Sequence, residues 1–314
     1  MLDKFYRLHS SVLKSLLKDQ TTKKNIIFAT DNYIEWGIGY EPIDYITVNL
    51  LTDDMIKPRI YKSKSEHTLR TKSMAEVFTP AWVCNEQNNL IDEKWFNSPP
   101  PFNESLEKSW KTNYDRIVFP DIKKRTWKDY VNDIRLEITC GEAPYLTSRY
   151  DAVSGEYIDT KDRIGLLDRK LRIVSENTKQ QEEWLKWAEK ALKSIYGYEF
   201  QGDSLLIARE NILYTVMEYY EDKFNEELDL DTQMKYAKII TWNIWQMDGL
   251  KCVIPYSCQN GKIIEYTLFG EEVEEYKCPG CKNSNIYEHN GKYCIIKDWK
   301  KNKNTRFIDL INEE

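Results

Sequence analysis

The stretch Leu136-Glu137-Ile138-Thr139-Cys140-Gly141-Glu142-Ala143-Pro144-Tyr145-Leu146 decides how this chain is read. An apolar run ends in a small turn that contains glycine. A first strand of a parallel sheet hands over to a ligand loop in this way, because glycine lets backbone approach a bound molecule where a side chain would clash. Two further segments stand where such a sheet needs them: Ala75-Glu76-Val77-Phe78-Thr79-Pro80 upstream and Ile195-Tyr196-Gly197-Tyr198-Glu199-Phe200 downstream.

The pattern continues on both sides of that core. Trp184, Trp187, Ala188, Ala191, Leu192 and Ile195 recur at helical spacing, with Glu182, Glu183, Lys186, Glu189, Lys190 and Lys193 on other faces. A strand at 195–200, a turn at Gln201-Gly202-Asp203, a long helix from Ser204 to about Asn225 and an apolar strand at 239–245 follow. The order strand, loop, helix, strand, helix, strand from 130 to 250 predicts a mainly parallel sheet with helices on its faces. Upstream, Thr79-Pro80 can open a helix, since Thr caps well and Pro is tolerated at the first helical position. Strands are expected at 25–29 and 46–50, and a helix within 1–20. Proline-punctuated residues 97–129 and residues 147–180 read as insertions. After 250 the texture changes to short strands, Cys residues and Gly turns.

Bulk properties narrow the function classes. The chain has 314 residues, 31% of them charged, and a net charge of −6, so its surface as a whole does not attract nucleic acid. No apolar stretch approaches the roughly 20 residues of a membrane span, and the N-terminus lacks a secretory apolar region, so a cytoplasmic location is expected. Charge is uneven, however. Lys57, Arg59, Lys62, Lys64, Arg70 and Lys72 oppose only Glu66 and could track phosphates. Lys297, Lys300, Lys301, Lys303 and Arg306 near the end read as a solvated basic tail. A nuclease reading finds only Glu182-Glu183-x-x-Lys186, which is the polar side of the amphipathic helix.

These residues carry a resemblance. Phe-Thr-Pro at 78–80, Cys-Gly at 140–141, an acidic residue ending the next strand at Glu199, and Asp248-Gly249-Leu250 come in the order found in the N6-adenine DNA methyltransferase family, the modification subunits of restriction systems. The resemblance implies a Rossmann-like sheet that binds S-adenosylmethionine (AdoMet). It implies that Phe78, Thr79 and Pro80 wall the methionine end, that Glu137, Cys140 and Gly141 form the first loop, that Glu199 accepts both ribose hydroxyls, and that Asp248 and Leu250 hold the adenine. DNA is the implied substrate, with a restriction or specificity subunit as a further partner. The sequence departs from the family at the catalytic Asn/Asp-Pro-Pro-Tyr/Phe tetrapeptide. The nearest string, Val253-Ile254-Pro255-Tyr256, has no polar acceptor, so a catalytically incomplete AdoMet- or DNA-binding subunit is the alternative expectation.

The last cysteines have metal-ligand spacing. Cys278-Pro279-Gly280-Cys281 is a Cys-x-x-Cys on a Pro-Gly turn, which aims two thiolates at one ion. Cys258, Cys278, Cys281 and Cys294 are the expected ligands of a structural Zn²⁺, with His289 competing for the fourth position and Cys252 for the upstream one. The expected architecture is thus α/β: an N-terminal α+β extension (1–74), a Rossmann-like AdoMet-dependent methyltransferase core (75–250), and a Cys-rich, zinc-ribbon-like module (251–314).

Overall fold

The computed structural model describes residues 8–51, 55–58, 61, 79–267 and 270–311. Phe78 and most of the basic stretch 57–72 therefore lie outside the described residues. The fold is mixed α/β, with helices around small sheets.

Three parallel strands in sequential order, β3 (Arg135–Glu137), β4 (Ile195–Glu199) and β5 (Ile244–Gln246), form the central sheet. Two short antiparallel strands, β1 (Asn103–Leu106) and β2 (Ser109–Thr112), precede them. The register sets Leu136 beside Tyr196, and Tyr198 beside Trp245. Each crossover contains two helices. The first uses α4 (Leu166–Asn177) and α5 (Gln181–Leu192); the second uses α6 (Gly202–Phe224) and α7 (Leu230–Asn243). Earlier helices are α1 (Ser10–Leu16), α2 (Ala81–Phe96) and α3 (Trp127–Asn132).

Side-chain alternation gives the sheet two different neighbours. Ile195 and Ile244 point into the main core, among helix residues such as Leu171, Trp184, Leu213 and Ile240. Tyr196, Trp245 and Met247 point the other way and share a second core with Cys252, Ile254, Cys294, Ile296 and Ile308. The Cys-rich segment is thus the layer that covers the second face of β4 and β5. It contains the hairpin β6 (Gly261–Thr267) and β7 (Gly270–Tyr276), the short helix α8 (Pro279–Asn283), and the hairpin β8 (Ile295–Asp298) and β9 (Lys303–Arg306). The residues read as a basic tail are therefore a paired ribbon.

Four sequence expectations change. Residues 239–245 are mostly helix: α7 runs to Asn243, and only three residues are left for β5. Their apolar run satisfies a buried helix equally well, and Asp229 caps the start by accepting from the Thr232 N–H at 2.9 Å. Residues 25–29 form only isolated bridges, Asn25 with Lys18 and Ile27 with Tyr45. They cross the carboxyl ends of the strands instead, where Gly202 donates its N–H to Phe28 O at 2.8 Å and the Gln246 side chain bonds both N and O of Ile27. Residues 46–50 form no strand, and 48–50 are a turn. Within 147–180, read as an insertion, α4 buries Leu166, Leu167, Leu171, Ile173 and Val174 in the main core.

The main core also encloses ions. Glu218 on α6 binds Arg149 at 2.6 Å and Arg163 at 2.7 Å, and all three are buried. Arg169 binds Asp92 at 2.5 Å and the side chains of Asn85 and Asn89, which ties α4 to α2.

Candidate metal centre and the carboxyl edge of the sheet

Two places gather the residues singled out from the sequence. The first is the carboxyl edge of the parallel sheet. There the turn after β3 is tied to the end of β4: the Gly141 N–H donates to Glu199 Oε2 at 2.9 Å, and the Cys140 N–H to Tyr198 O at 2.8 Å. Gly141 has φ +53, and its flanking residues Thr139 and Ala143 also have positive φ. Left-handed backbone at a β-branched residue is costly and tends to be kept at ligand loops. The space where a Gly141 side chain would stand is open. Thr79 lies near Tyr145, whose N–H donates to Glu137 at this edge. Pro80 is the N-cap of α2, and the Ala81 N–H donates to Asp151 at 2.6 Å.

The carboxylates of this edge are already engaged. Glu199 Oε1 accepts the N–H groups of Phe200 and Gln201, and Oε2 accepts that of Gly141. A carboxylate has about four acceptor positions, so one remains. That is less than the two ribose hydroxyls expected of Glu199 would need. Burial raises its pKa above the ordinary value, against those three donors. Glu137 likewise accepts the N–H groups of Tyr145 and Leu146, and burial pushes it up to about 8. Cys140 is buried against Gly197. Asp248 accepts the Leu250 N–H at 3.0 Å and pairs with Lys251 at 3.5 Å, while Leu250 is 86% exposed. Their expected adenine contacts therefore find a self-capped turn and a solvated side chain.

The second place is the metal cradle. Cys258, Cys278, Cys281 and His289 bring their ligand atoms within 4.8 Å of one another. Cys258 Sγ lies 3.7 Å from Cys281 Sγ, and His289 Nδ1 lies 3.5, 3.7 and 3.7 Å from the three sulfurs of Cys258, Cys278 and Cys281. Zinc at roughly 2.3 Å from sulfur and roughly 2.05 Å from nitrogen needs tetrahedral edges of about 3.8 Å (S to S) and about 3.5 Å (S to N). The donor set fits a closed, structural Zn²⁺ site.

Local chain geometry explains the convergence. Cys278 caps α8, with Pro279 at the first helical position, so Cys281 returns one turn later on the same side. A Cβ on Gly280 would meet His289 N and Nδ1 at 2.6 Å, so only glycine lets the ring in. A Cβ on Gly291 would meet Ser257 Oγ at 2.9 Å and Cys258 Cβ at 3.0 Å. The Asn290 N–H donates to Cys278 Sγ at 3.3 Å, and the Asn290 side chain brackets Gln259. Burial opposes ionisation of Cys278, but the N–H groups of Asn290 and Cys281 and the His289 ring pull its thiol down to about 6. Burial and the neighbouring thiols push Cys258 up to about 12.

Cys294, the expected fourth ligand, is not in this cluster. It is fully buried in the second core, where its thiol donates to Gln246 O at 3.4 Å. Cys252 lies in the same core. His289 takes the position because the 289–294 segment runs as an extended strip away from the cradle, with Cys294 at its far end. Gly280 and Gly291 went unnoticed as site residues, although each sits beside a ligand. The buried ions were also missed; their signal was Glu218 standing among the apolar positions of α6.

Compared with models of known protein families, with curated proteins and with solved structures, the chain matches none. No helix among the described residues is long and apolar enough to cross a membrane.

Proposed function

We propose that this chain is an AdoMet-binding, methyltransferase-like subunit of a DNA restriction-modification system, built on a Rossmann-like sheet and carrying a structural zinc. One observation supports the reading most: the bond from the Gly141 N–H to Glu199. It joins the first glycine turn to the acidic end of the next strand at the carboxyl edge of a sequential parallel sheet. Ligands bind at that edge in open α/β sheets. AdoMet would supply the methyl group. Of this chain's residues, Glu199 would accept one ribose hydroxyl through its remaining acceptor position, and Gly141 would leave room for backbone contact.

A second reading is favoured by a specific observation: methyl transfer requires a partner chain. Val253 and Ile254 are buried, and Tyr256 presents its ring beside Phe200 at 5.8 Å, but the string between them contains no amide or carboxylate. Nucleophilic activation of an adenine amino group needs such an acceptor.

Calorimetric titration with AdoMet tests the shared part. Saturable binding that weakens in Glu199→Gln supports it, and the absence of heat at millimolar AdoMet removes it. Transfer of labelled methyl to DNA by the chain alone then selects the first reading, and transfer only with added partner subunits the second.

A further inference from the structure

The metal cradle and the 248–250 turn are two ends of one strip of chain. Asp248 donates its N–H to Val253 O at 2.8 Å, and its own carbonyl accepts the N–H groups of Lys251 and Cys252 at 3.1 and 2.8 Å. Val253 bridges Asp248 on one side and Tyr293 on the other. The Ile254 N–H donates to Lys292 O at 2.9 Å, and the Cys294 N–H to Cys252 O at 3.0 Å. Residues 252–254 are therefore held between the turn that leaves β5 and the strip 292–294.

Both strips end at the cradle. Four residues beyond Ile254 comes Cys258, and three residues before Lys292 comes His289. Ser257 staples them just short of the ligands, since its Oγ donates to Ile254 O at 2.7 Å and accepts the Lys292 N–H at 2.9 Å. An ion shared by Cys258 and His289, whose ligand atoms are 3.5 Å apart, would close the open end of this pair like a clasp. The Lys251 ammonium lies 3.5 Å from Asp248, and Cys281 and Cys258 act on its charge. Three thiolates and a neutral imidazole around a divalent cation carry one net negative charge, which attracts Lys251 toward the cradle and keeps the turn against it.

We infer that metal occupancy positions the 248–250 turn, so that the zinc centre sets the geometry of one wall of the candidate cofactor site. Lys251, Val253 and Ser257 are the positioning residues of that coupling. The part that concerns the cofactor rests on the AdoMet reading above; the part that concerns the turn does not.

Hydrogen exchange on the full chain, loaded with zinc and then stripped by a chelator, tests the coupling. Local openings exchange independently of global unfolding. The amides of Asp248, Lys251, Cys252 and Ile254 should exchange about tenfold faster or more after stripping, and recover on adding zinc, while those of α4 and α6 stay unchanged. Faster exchange confined to 278–291 would overturn the proposal and make the centre a purely local knuckle. Because wild-type protein is used reversibly, a misfolded variant cannot confuse the result. In parallel, AdoMet affinity should fall about tenfold on stripping, the coupling of a typical allosteric pair. Absence of AdoMet binding in the loaded protein would remove the functional reading and leave the exchange result to decide the coupling. Lys251→Met, which touches no ligand, should reproduce part of the exchange increase with zinc still bound.

Discussion

The carboxyl edge and the metal cradle were both legible as candidate sites, yet they differ in how their polar atoms are used. At the edge, Glu137 and Glu199 spend their oxygens on five backbone N–H groups of their own chain, two and three respectively. In the cradle, four ligand atoms face one another, at spacings that suit an ion better than any contact among themselves. Carboxylates that hold backbone shape a loop whether or not a ligand arrives. Thiols and an imidazole aimed at one point have no comparable structural reason to converge. The contrast separates carboxylates that chiefly shape a loop, with little acceptor capacity left over, from donors aimed at an ion, and it can be attacked by experiment.

Metal removal should have the largest effect. Structural zinc sites in small peptides bind with apparent free energies of about 10–16 kcal/mol, and much of this is folding free energy. Stripping zinc should therefore lower the melting temperature by about 10 °C or more and expose the Trp245 face, read by near-UV circular dichroism and dye binding. A fall of less than about 2 °C would make the cradle incidental.

Glu218→Ala comes next. It leaves Arg149 and Arg163 buried without a counter-charge, which costs about 3–5 kcal/mol by analogy with other broken buried pairs. Denaturant unfolding should show the loss without any change in zinc content. Glu199→Ala follows, because three N–H donors lose their acceptor; about 2 kcal/mol or more is expected. If Glu199→Ala is neutral for stability, the carboxylate is not scaffold and the contrast between the two regions is wrong.

The pH dependence is smaller and has a definite sign. Burial pushes Glu137 from 4.5 up to about 8 and Asp168 from 3.8 up to about 6. Both hold their proton more tightly in the folded chain. Their contribution is therefore full below the unfolded values and is lost as pH rises through about 6 and then about 8. Melting temperature should fall between about pH 4 and about pH 8, and Asp168→Asn should remove the part of the fall that ends near 6, since its Oδ1 has no partner and tolerates an amide. A flat profile in wild type would contradict the assignment.

A glycine pair gives the mildest test. Gly141→Ala meets open space but must hold φ +53, a cost of about 1 kcal/mol with no effect on zinc. Gly280→Ala forces a Cβ against His289 and should weaken zinc binding by about tenfold with little change elsewhere. Equal effects of the two on zinc, measured by competition with a chromogenic chelator, would blur the distinction.

Local patterns carried much of this in advance. The stripe of Trp184, Trp187, Ala188 and Ala191 marks α5 because helical spacing is a property of a dozen adjacent residues. Cys278 and Cys281 mark a metal turn because their spacing lies within one turn of backbone. Residues 239–245 were misread because a short apolar run serves a buried helix and a buried strand equally. The basic residues at 297–306 read as a tail because the ribbon that pairs them is held from outside, by Trp299 on Asn243 and by Ile296 and Ile308 in the second core.

Composition and spacing by themselves pointed to a parallel sheet, the glycine turn, and the kind of ion the last cysteines suit. Tertiary structure alone decided that His289 and not Cys294 completes the cradle, that Glu199 keeps a single open acceptor, and that the Cys-rich segment is a wall of the central sheet. The reason is common to all three. A donor's chemistry is set by its residue type, but which donors meet depends on where distant segments are packed, and that is settled only when the whole core closes.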